Sequence, residues 1–380
     1  MRVSALLFAV LAVGCTRAQP AERGLPGFAT DTSRRIVSLD ELRSGGPPKD
    51  GIPSIDAPRF ITADAATVWL ADQEPVVLLR LGGQARVYPL QILTWHEIVN
   101  DTLAGAPVAV TFCPLCYSAV AFDRRVETAG GERVLEFGVS GLLRHSDLVM
   151  FDRQTETLWQ QFTGEALVGD LVGTTLTVLP AQIVSFAQAR EAAPDAPVLS
   201  RETGHRRDYG RNPYAGYDDV AKTPLFYRGE TGGGLAPMAR VVAVEVGPDA
   251  GAPGAGAFRV YPASLTRERR VVNDTLGGVP LVVFHTDGAT TALGAERIAE
   301  AREVGTSGVF GRRLTHGGST TVLTFRADGG RILDETGSEW TVTGRAVAGP
   351  LAGAQLTPLR AHDTFAFAWF AFRPQTTVYR

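Results

Sequence analysis

Apolar and polar residues alternate on both sides of one short segment, Cys113-Pro-Leu-Cys116. The alternating positions are Val108, Val110 and Phe112 before the segment, and Ser118, Val120 and Phe122 after it. A period of two is typical of a strand with one buried face. We therefore predict that Cys113 and Cys116 lie at a turn between two strands, and not at the start of a helix.

The rest of the pattern predicts more strands than helices. Residues 76–81 and 85–87 read as a hairpin around Gly82 and Gly83, and Pro89 opens a predicted helix that extends to about residue 99. Further predicted elements are strands at 134–139, 148–151 and 176–178 and a helix at 181–192. This balance predicts an α+β fold with mainly antiparallel sheets.

Several segments of the first half recur in the second half in the same order. Arg86-Val-Tyr-Pro89 returns as Arg259-Val-Tyr-Pro262, and Val99-Asn-Asp-Thr-Leu103 returns as Val272-Asn-Asp-Thr-Leu276 at the same spacing. Later matches are Gly138-Val-Ser-Gly141 with Gly305-Thr-Ser-Gly308, and Asp152, Trp159 and Gly164 with Asp334, Trp340 and Gly344. We interpret the chain as two tandem homologous units, 61–200 and 240–380, joined by a linker rich in Tyr, Arg and Gly at 201–239.

The second unit lacks the candidate reactive residues of the first. At the matched positions Thr286 stands for Cys113, Ala289 for Cys116, Arg269 for His96 and Arg312 for His145. Trp159 and Trp340 occupy matched positions, which favours a core role for both. This comparison predicts that the first unit is active and that the second is structural or covers the substrate.

Composition and the N-terminus bear on the location of the protein. The 380-residue chain is 44% hydrophobic, which suits a globular protein. Its formal net charge of −3 gives no excess of positive charge of the kind that binds nucleic acid. Residues 1–15 resemble a signal peptide with a lipobox, in which Cys15 would become the lipidated first residue of the mature protein. A tether and irregular arm follow at 16–60. We therefore expect an exported protein of the cell envelope, either lipid-anchored to the membrane or periplasmic.

The cysteine pair is open to three interpretations. Cys113 and Cys116 could cycle between dithiol and disulfide, with His96 as base and a periplasmic reductant or small molecule as partner. They could instead form a knuckle that binds copper, zinc or iron together with His96 and His145. A third interpretation is a binding module with a structural disulfide. Asp147 and Asp152 are candidate carboxylates behind such a site, although turn and capping roles suit them equally.

The chain resembles the bacterial family called domain of unknown function 3179. The resemblance rests on these segments: Tyr88-Pro89, His96-Glu-Ile-Val-Asn-Asp101, Thr111-Phe-Cys-Pro-Leu-Cys116, Gly138-Val-Ser-Gly-Leu-Leu143, Asp152-Arg-Gln-Thr155, Leu158-Trp-Gln160 and Asp208-Tyr-Gly210. It covers most of residues 61–220. Some members are thought to carry selenocysteine in the motif, which implies redox or nucleophilic chemistry at the cysteine positions. As its name indicates, this family has no assigned activity, so the resemblance does not predict a reaction.

Overall fold

A computed structural model describes residues 25–247 and 256–380 of the chain. The predicted export segment 1–15, with Cys15, lies outside the described residues. Sheets dominate, and the helices are short. The predicted α+β, mainly antiparallel fold is confirmed, since β4–β16 and β18–β29 are the only parallel pairings between the named strands of the described residues. None of the helices in the described ranges is long and apolar enough to cross a membrane.

The first half contains sixteen strands and three α-helices. The strands are β1 (Arg43–Ser44), β2 (Phe60–Ile61), β3 (Pro75–Leu81), β4 (Gln84–Pro89), β5 (Ile98–Leu103), β6 (Ala106–Cys113), β7 (Ser118–Asp123), β8 (Arg125–Thr128), β9 (Gly131–Val134), β10 (Phe137–Arg144), β11 (Asp147–Asp152), β12 (Leu158–Gln160), β13 (Ala166–Val168), β14 (Val178–Leu179), β15 (Ala181–Ser185) and β16 (Val198–Leu199). The helices are α1 (Ala63–Ala66), α2 (Leu90–His96) and α3 (Phe186–Ala192), and one 3₁₀ turn spans Leu39–Glu41.

The described part of the second half adds thirteen strands and two α-helices. The strands are β17 (Arg240–Val246), β18 (Ala257–Pro262), β19 (Val271–Leu276), β20 (Val279–Thr286), β21 (Thr306–Gly311), β22 (Arg313–His316), β23 (Ser319–Val322), β24 (Phe325–Asp328), β25 (Arg331–Asp334), β26 (Glu339–Trp340), β27 (Ala346–Ala348), β28 (Ala361–Phe365) and β29 (Thr377–Val378). The helices are α4 (Ala263–Arg269) and α5 (Ala366–Phe372), with 3₁₀ turns at Gly232–Gly234 and Ile298–Glu300.

The sheets of the two halves have matching strand orders. β15-β3-β4-β16 corresponds to β28-β17-β18-β29, β5-β6-β7 to β19-β20-β21, and β10-β11-β12-β13 to β24-β25-β26-β27. Side-chain contacts recur as well: Trp159 Nε1 donates to Asp152 at 2.9 Å, and Trp340 Nε1 donates to Asp334 at 2.8 Å. These correspondences support the proposal of two homologous units. They also give Asp152 a structural role as the acceptor of a buried indole.

Two matches made from the sequence are wrong in their details. Arg124 donates to the carbonyls of Leu135 and Asp101, and Arg312 makes the same pair of contacts with Leu323 and Asp274, so Arg312 corresponds to Arg124 and not to His145. Likewise residues 306–308 begin β21, which pairs with β20 as β7 pairs with β6. They therefore do not correspond to the segment 138–141 in β10. The short pattern Gly-x-Ser-Gly occurs in both segments, although they belong to strands at different positions in the two halves.

The helix that opens after Pro89 ends earlier than the pattern predicted. α2 stops at His96 because Glu97 adopts a positive φ of 59°, and the next residues enter β5. Ile98 and Val99 are β-branched, and they pair with Thr111 and Val110 of β6. Strand pairing therefore ends the helix at His96. Glu97 lies outside α2, at the start of the turn into β5.

The helix predicted over residues 181–192 is divided into a strand and a helix. Residues 181–185 form β15, which pairs along its length with β3. Ser185 then caps α3, because its hydroxyl accepts from Gln188 N while the Gln188 side chain accepts from Ser185 N. This capping box marks a helix start that hydrophobic periodicity alone did not reveal.

Both halves and the N-terminal arm pack together. The largest buried apolar cluster includes Val77 and Phe112 from the first half and Phe365 and Trp369 from the second. Residues 25–60 lie against the first half, where β1 pairs with β10 and Ile55 exchanges backbone hydrogen bonds with Ile98 and Asn100. The arm and both halves thus share one buried core, which includes Cys113 and Cys116.

Candidate metal centre

Cys113 and Cys116 lie on a tight turn between β6 and β7, as the alternation predicted. Cys113 pairs with Ser118 as the last rung of the ladder, and Cys116 N donates to Cys113 O at 3.3 Å. Tyr117 closes the turn with a positive φ of 55°. A non-glycine residue in this conformation is strained, and such residues concentrate at functional sites. Both cysteines are free thiols and are buried.

Asp147 lies beside the two thiols. One oxygen of its carboxylate and the two Sγ atoms all lie within 4.8 Å of one another. Asp147 starts β11 directly after His145 and Ser146, which form the tip of the β10–β11 hairpin with positive φ values of 54° and 71°. The Ser146 carbonyl faces both thiols, at 3.9 Å from Cys113 Sγ and 3.5 Å from Cys116 Sγ. The hairpin tip therefore sets the third donor of the cluster.

Neighbouring polar groups fix the orientation of the Asp147 carboxylate. Oδ1 accepts hydrogen bonds from Gln160 Nε2 at 2.7 Å and from Phe162 N at 3.0 Å. Ser118 Oγ is 3.5 Å from Oδ2 and donates to Gln161 Oε1 at 2.9 Å. Complete burial raises the pKa of Asp147 to about 7, and the hydrogen bonds from Gln160 and Phe162 oppose that rise. The carboxylate is held in place by donors that a metal ligand commonly has.

A second buried carboxyl group, Glu97, belongs to the same neighbourhood. Glu97 is 7% exposed. Burial, together with the negative charge of Asp147, raises the pKa of Glu97 to about 8. Tyr214 lies close enough to Glu97 and Cys113 that their charges add to the effect of burial in raising its phenol pKa.

Both thiols have raised pKa values, so they are protonated at neutral pH in the metal-free protein. Burial raises the pKa of Cys113 and of Cys116, and the charges of Asp147 raise both further. Reactive cysteines usually have a lowered pKa because a basic residue or a helix N-terminus stabilises the thiolate. Here two thiols and two carboxyl groups are buried together. A bound cation would favour their deprotonated forms.

The linker covers this site. Tyr217 OH donates to Leu115 O at 3.1 Å and accepts from Leu225 N at 3.3 Å. Ser146 Oγ donates to Leu225 O at 2.6 Å, which ties the hairpin tip to the same linker. The Tyr-rich segment therefore forms one wall of the site.

The second half closes the opposite side of the cysteine turn. The carbonyl of Cys116 accepts from Thr364 Oγ1 at 2.7 Å and from Phe365 N at 3.1 Å. The Tyr117 hydroxyl accepts from Ala292 N at 3.1 Å, and its ring lies edge-on to Phe365. These contacts exclude water from the turn. They give the second half a covering role at the site.

His96 does not join the cysteines in the described part of the structure. Its Nδ1 donates to the Pro53 carbonyl at 2.7 Å, so the Nε2 atom, 2.6 Å from Tyr209 OH, accepts from that hydroxyl. Burial lowers the pKa of His96 to about 4, which keeps the ring neutral. Both nitrogens are therefore occupied in joining α2 to the arm and the linker.

His145 also lies outside the cluster, although it neighbours Ser146 in sequence. Its Nε2 is 3.6 Å from Glu41 Oε2, and its ring packs edge-on against Tyr227 and Phe372. Burial lowers its pKa. The side chain points to the arm and the linker, away from the thiols.

The sequence interpretation did not recognise Glu97 and gave Asp147 only a supporting role. One available signal was the length of the β10–β11 hairpin, which is longer than its counterpart β24–β25. Phe137 and Phe325 are matched ends, because each exchanges two hydrogen bonds with an asparagine, Asn100 or Asn273. The additional hairpin residues in the first half include the tip that brings Asp147 to the thiols.

The features of this site define a buried centre of two thiols and a carboxylate, which is a donor set of metal-binding proteins. The chain belongs to the family described as "Protein of unknown function (DUF3179)", whose model matches residues 49–376. The family assignment is confirmed, and the match extends through the second half, beyond the 61–220 region of resemblance. No curated protein and no solved structure matches the chain significantly.

Proposed function

We propose that the protein binds a divalent metal ion, with zinc as the native ion, through Cys113, Cys116 and Asp147. The observation that carries this proposal is the convergence of three donor atoms within 4.8 Å in a buried, covered site. Zinc accepts thiolate and carboxylate ligands together. Copper(I) favours softer donor sets, and the carboxylate therefore argues for zinc.

The fourth coordination position is proposed to hold water or a substrate atom. No fourth histidine, cysteine or carboxylate joins the 4.8 Å cluster within residues 25–247 and 256–380. Zinc sites with three protein ligands and one open position are typically catalytic, because the ion lowers the pKa of bound water and polarises a substrate oxygen. Glu97, buried nearby with a pKa of about 8, is suited to exchange a proton with such a ligand.

Cobalt(II) substitution tests the proposal. Protein loaded with one equivalent of cobalt should show tetrahedral ligand-field bands and a sulfur-to-cobalt charge-transfer band. Cys113→Ser and Cys116→Ser should each reduce the charge-transfer band, whereas Asp147→Asn should retain it and shift the ligand-field bands. His145→Gln is the matched control and should leave both unchanged. Spectra without sulfur charge transfer in the wild-type protein would rule out this ligand set.

A second candidate function is thiol–disulfide chemistry at the same two cysteines, with a periplasmic reductant or small molecule as partner. The observation that favours it is that the free thiols lie side by side, and a hydrogen bond from Cys116 lowers the pKa of Cys113. The raised pKa values oppose it, because the thiolate is the reacting form. Equilibration with defined thiol–disulfide buffers, followed by counting of free thiols, gives the reduction potential and decides whether a disulfide forms.

Export and lipid anchoring through Cys15 remain proposals that rest on the pattern of residues 1–15. Lipidation predicts that the protein fractionates with membranes and that Cys15→Ala releases it. Mass spectrometry of the N-terminal peptide measures the modification directly. An unmodified N-terminus after Cys15 in membrane-free protein would instead support a periplasmic form.

A further inference from the structure

A cavity of about 290 Å³ lies between the linker and the second half, apart from the three proposed ligands. Its polar lining includes Arg240, Arg267, His285 and Arg302. Apolar side chains complete the walls, among them Leu235, Met238 and Val304. The volume is at the lower end of the range for small-molecule pockets. A lining of this kind combines hydrogen-bond donors with an apolar surface.

Two buried donors of this cavity have no partner among the described residues. They are Arg240 Nη1 and His285 Nε2. The Arg240 side chain is 9% exposed, and His285 is 2% exposed. Because leaving a buried donor without a partner is energetically unfavourable, such atoms commonly mark the position of a ligand or ion.

The arrangement of His285 favours an acceptor in the cavity. Its Nδ1 is 3.0 Å from Ser307 Oγ, which can donate to that nitrogen. In this tautomer Nε2 carries the proton and serves as a donor. The Nε2 atom also lies over Gly305, where an added Cβ would come within 2.5 Å of it. A side chain at position 305 would therefore collide with this donor, and glycine avoids that collision.

The charges lining the cavity favour a single negative charge. Arg240 is paired with Asp363, and Arg302 is paired with Asp218. Arg267 forms no ion pair with a described carboxylate, and its guanidinium donates only to the backbone carbonyl of Glu303. One cationic charge thus remains uncompensated beside the two unpartnered donors.

We propose that this pocket binds a small aliphatic carboxylate. The carboxylate would accept from Arg240 Nη1, His285 Nε2 and Arg267, and its chain would lie against the apolar wall. Arg240 also stacks on Tyr117, with its guanidinium carbon 4.2 Å from the ring centroid. Since Tyr117 follows Cys116, Arg240 connects the pocket to the turn that carries the two cysteines.

Ligand binding is tested by calorimetric titration of the full-length protein with hexanoate and with hexanamide, its uncharged analogue. Saturable binding of hexanoate without binding of hexanamide is the expected result. Arg267→Gln should weaken hexanoate binding by about tenfold, because a charge-assisted hydrogen bond is lost. His285→Leu should also weaken it. Arg269→Gln, an exposed position on the same helix outside the cavity, is the matched control and should bind as the wild type does.

Three outcomes would overturn the proposal. They are no saturable binding of hexanoate by the wild-type protein, equal binding of hexanamide, or unchanged hexanoate affinity in Arg267→Gln. Arg267 is exposed, so its replacement is compatible with folding, and circular dichroism verifies this for each variant. Binding is measured independently of metal loading. Failure of the metal proposal and failure of this one are therefore distinguishable.

Discussion

Gln160 holds Asp147 in the orientation that the metal proposal requires, through a 2.7 Å hydrogen bond from Nε2 to Oδ1. Because Phe162 N donates to the same oxygen, Oδ2 is the atom left for a metal. Gln160→Met preserves the size of the side chain and removes the donor. Metal affinity should fall by about 10–100-fold, as is usual when a residue that orients a ligand is replaced.

Competition with a chromophoric chelator measures that affinity. Gln154→Met is the matched control, since Gln154 is exposed and its side chain accepts from Glu136 N, outside the site. An unchanged affinity in Gln160→Met would mean that Asp147 needs no orientation from Gln160, or that Asp147 is not a ligand.

His96 is predicted to stabilise the fold without binding the metal. His96→Leu removes the hydrogen bonds to the half-buried Pro53 carbonyl and Tyr209 hydroxyl, of which the hydroxyl keeps its contact with Thr203, and this should cost about 1–3 kcal/mol of unfolding free energy. Metal content should stay at the wild-type level. Denaturant unfolding and elemental analysis of the same preparation give the two quantities. Loss of metal from a folded His96→Leu protein would restore His96 as a ligand.

Metal binding should release protons in a number that depends on pH. Both thiols are protonated at neutral pH because burial raises their pKa values, and Asp147 has a pKa of about 7. The three ligands should therefore release about three protons at pH 6 and about two at pH 8, and protons that the cation displaces from Glu97 add to both counts, so affinity rises with pH throughout this range.

Calorimetry in buffers of different ionisation enthalpy counts these protons. Asp147→Asn is the informative variant, because it should release about one proton fewer than the wild-type protein at pH 6 and about the same number at pH 8. A proton count in the wild-type protein that does not change between pH 6 and pH 8 would contradict the assignment of Asp147.

The metal-free protein should lose stability with rising pH through Asp147. The folded state keeps a proton on Asp147 up to a pH of about 7, whereas an unfolded aspartate loses it near pH 3.9. The folded state thus binds more protons across this window, and the contribution of Asp147 to unfolding free energy falls as pH rises through it. Asp147→Asn does not titrate, so its stability relative to wild type should increase by about 2–3 kcal/mol between pH 5 and pH 8.

Urea unfolding in the presence of a chelator checks this difference. The comparison between the two proteins removes the effect of buried histidines such as His362, whose pKa is lowered to about 3 and which titrate alike in both. A constant difference between wild type and Asp147→Asn would show that Asp147 has an ordinary pKa.

The local features of the site could be predicted from sequence, because they depend on neighbouring residues. Alternation around Cys113 and Cys116 predicted the strand pair and the turn correctly. The identity of the third donor could not be predicted in this way. Asp147 comes from another sheet, and tertiary packing of the β10–β11 hairpin brings it to the thiols.

His96 and Glu97 illustrate the same limit at a single peptide bond. The sequence comparison favoured His96, since His96 and both cysteines are replaced in the second half. The positive φ of Glu97 turns the chain from α2 into β5, so that His96 faces Pro53 and Tyr209 while Glu97 is buried beside Asp147. Hydrophobic periodicity does not predict the positive φ of Glu97, and this φ determines that Glu97, and not His96, lies near the thiols.

The central claim is that Cys113, Cys116 and Asp147 form one metal site, and metal content tests it most directly. Protein purified without chelator is analysed by inductively coupled plasma mass spectrometry, with sulfur as the internal measure of protein amount. The wild-type protein and His145→Gln should contain about one zinc per chain, and Cys116→Ser and Asp147→Asn should contain much less. A wild-type protein that remains metal-free after incubation with zinc, or a Cys116→Ser protein that retains it fully, would contradict the claim.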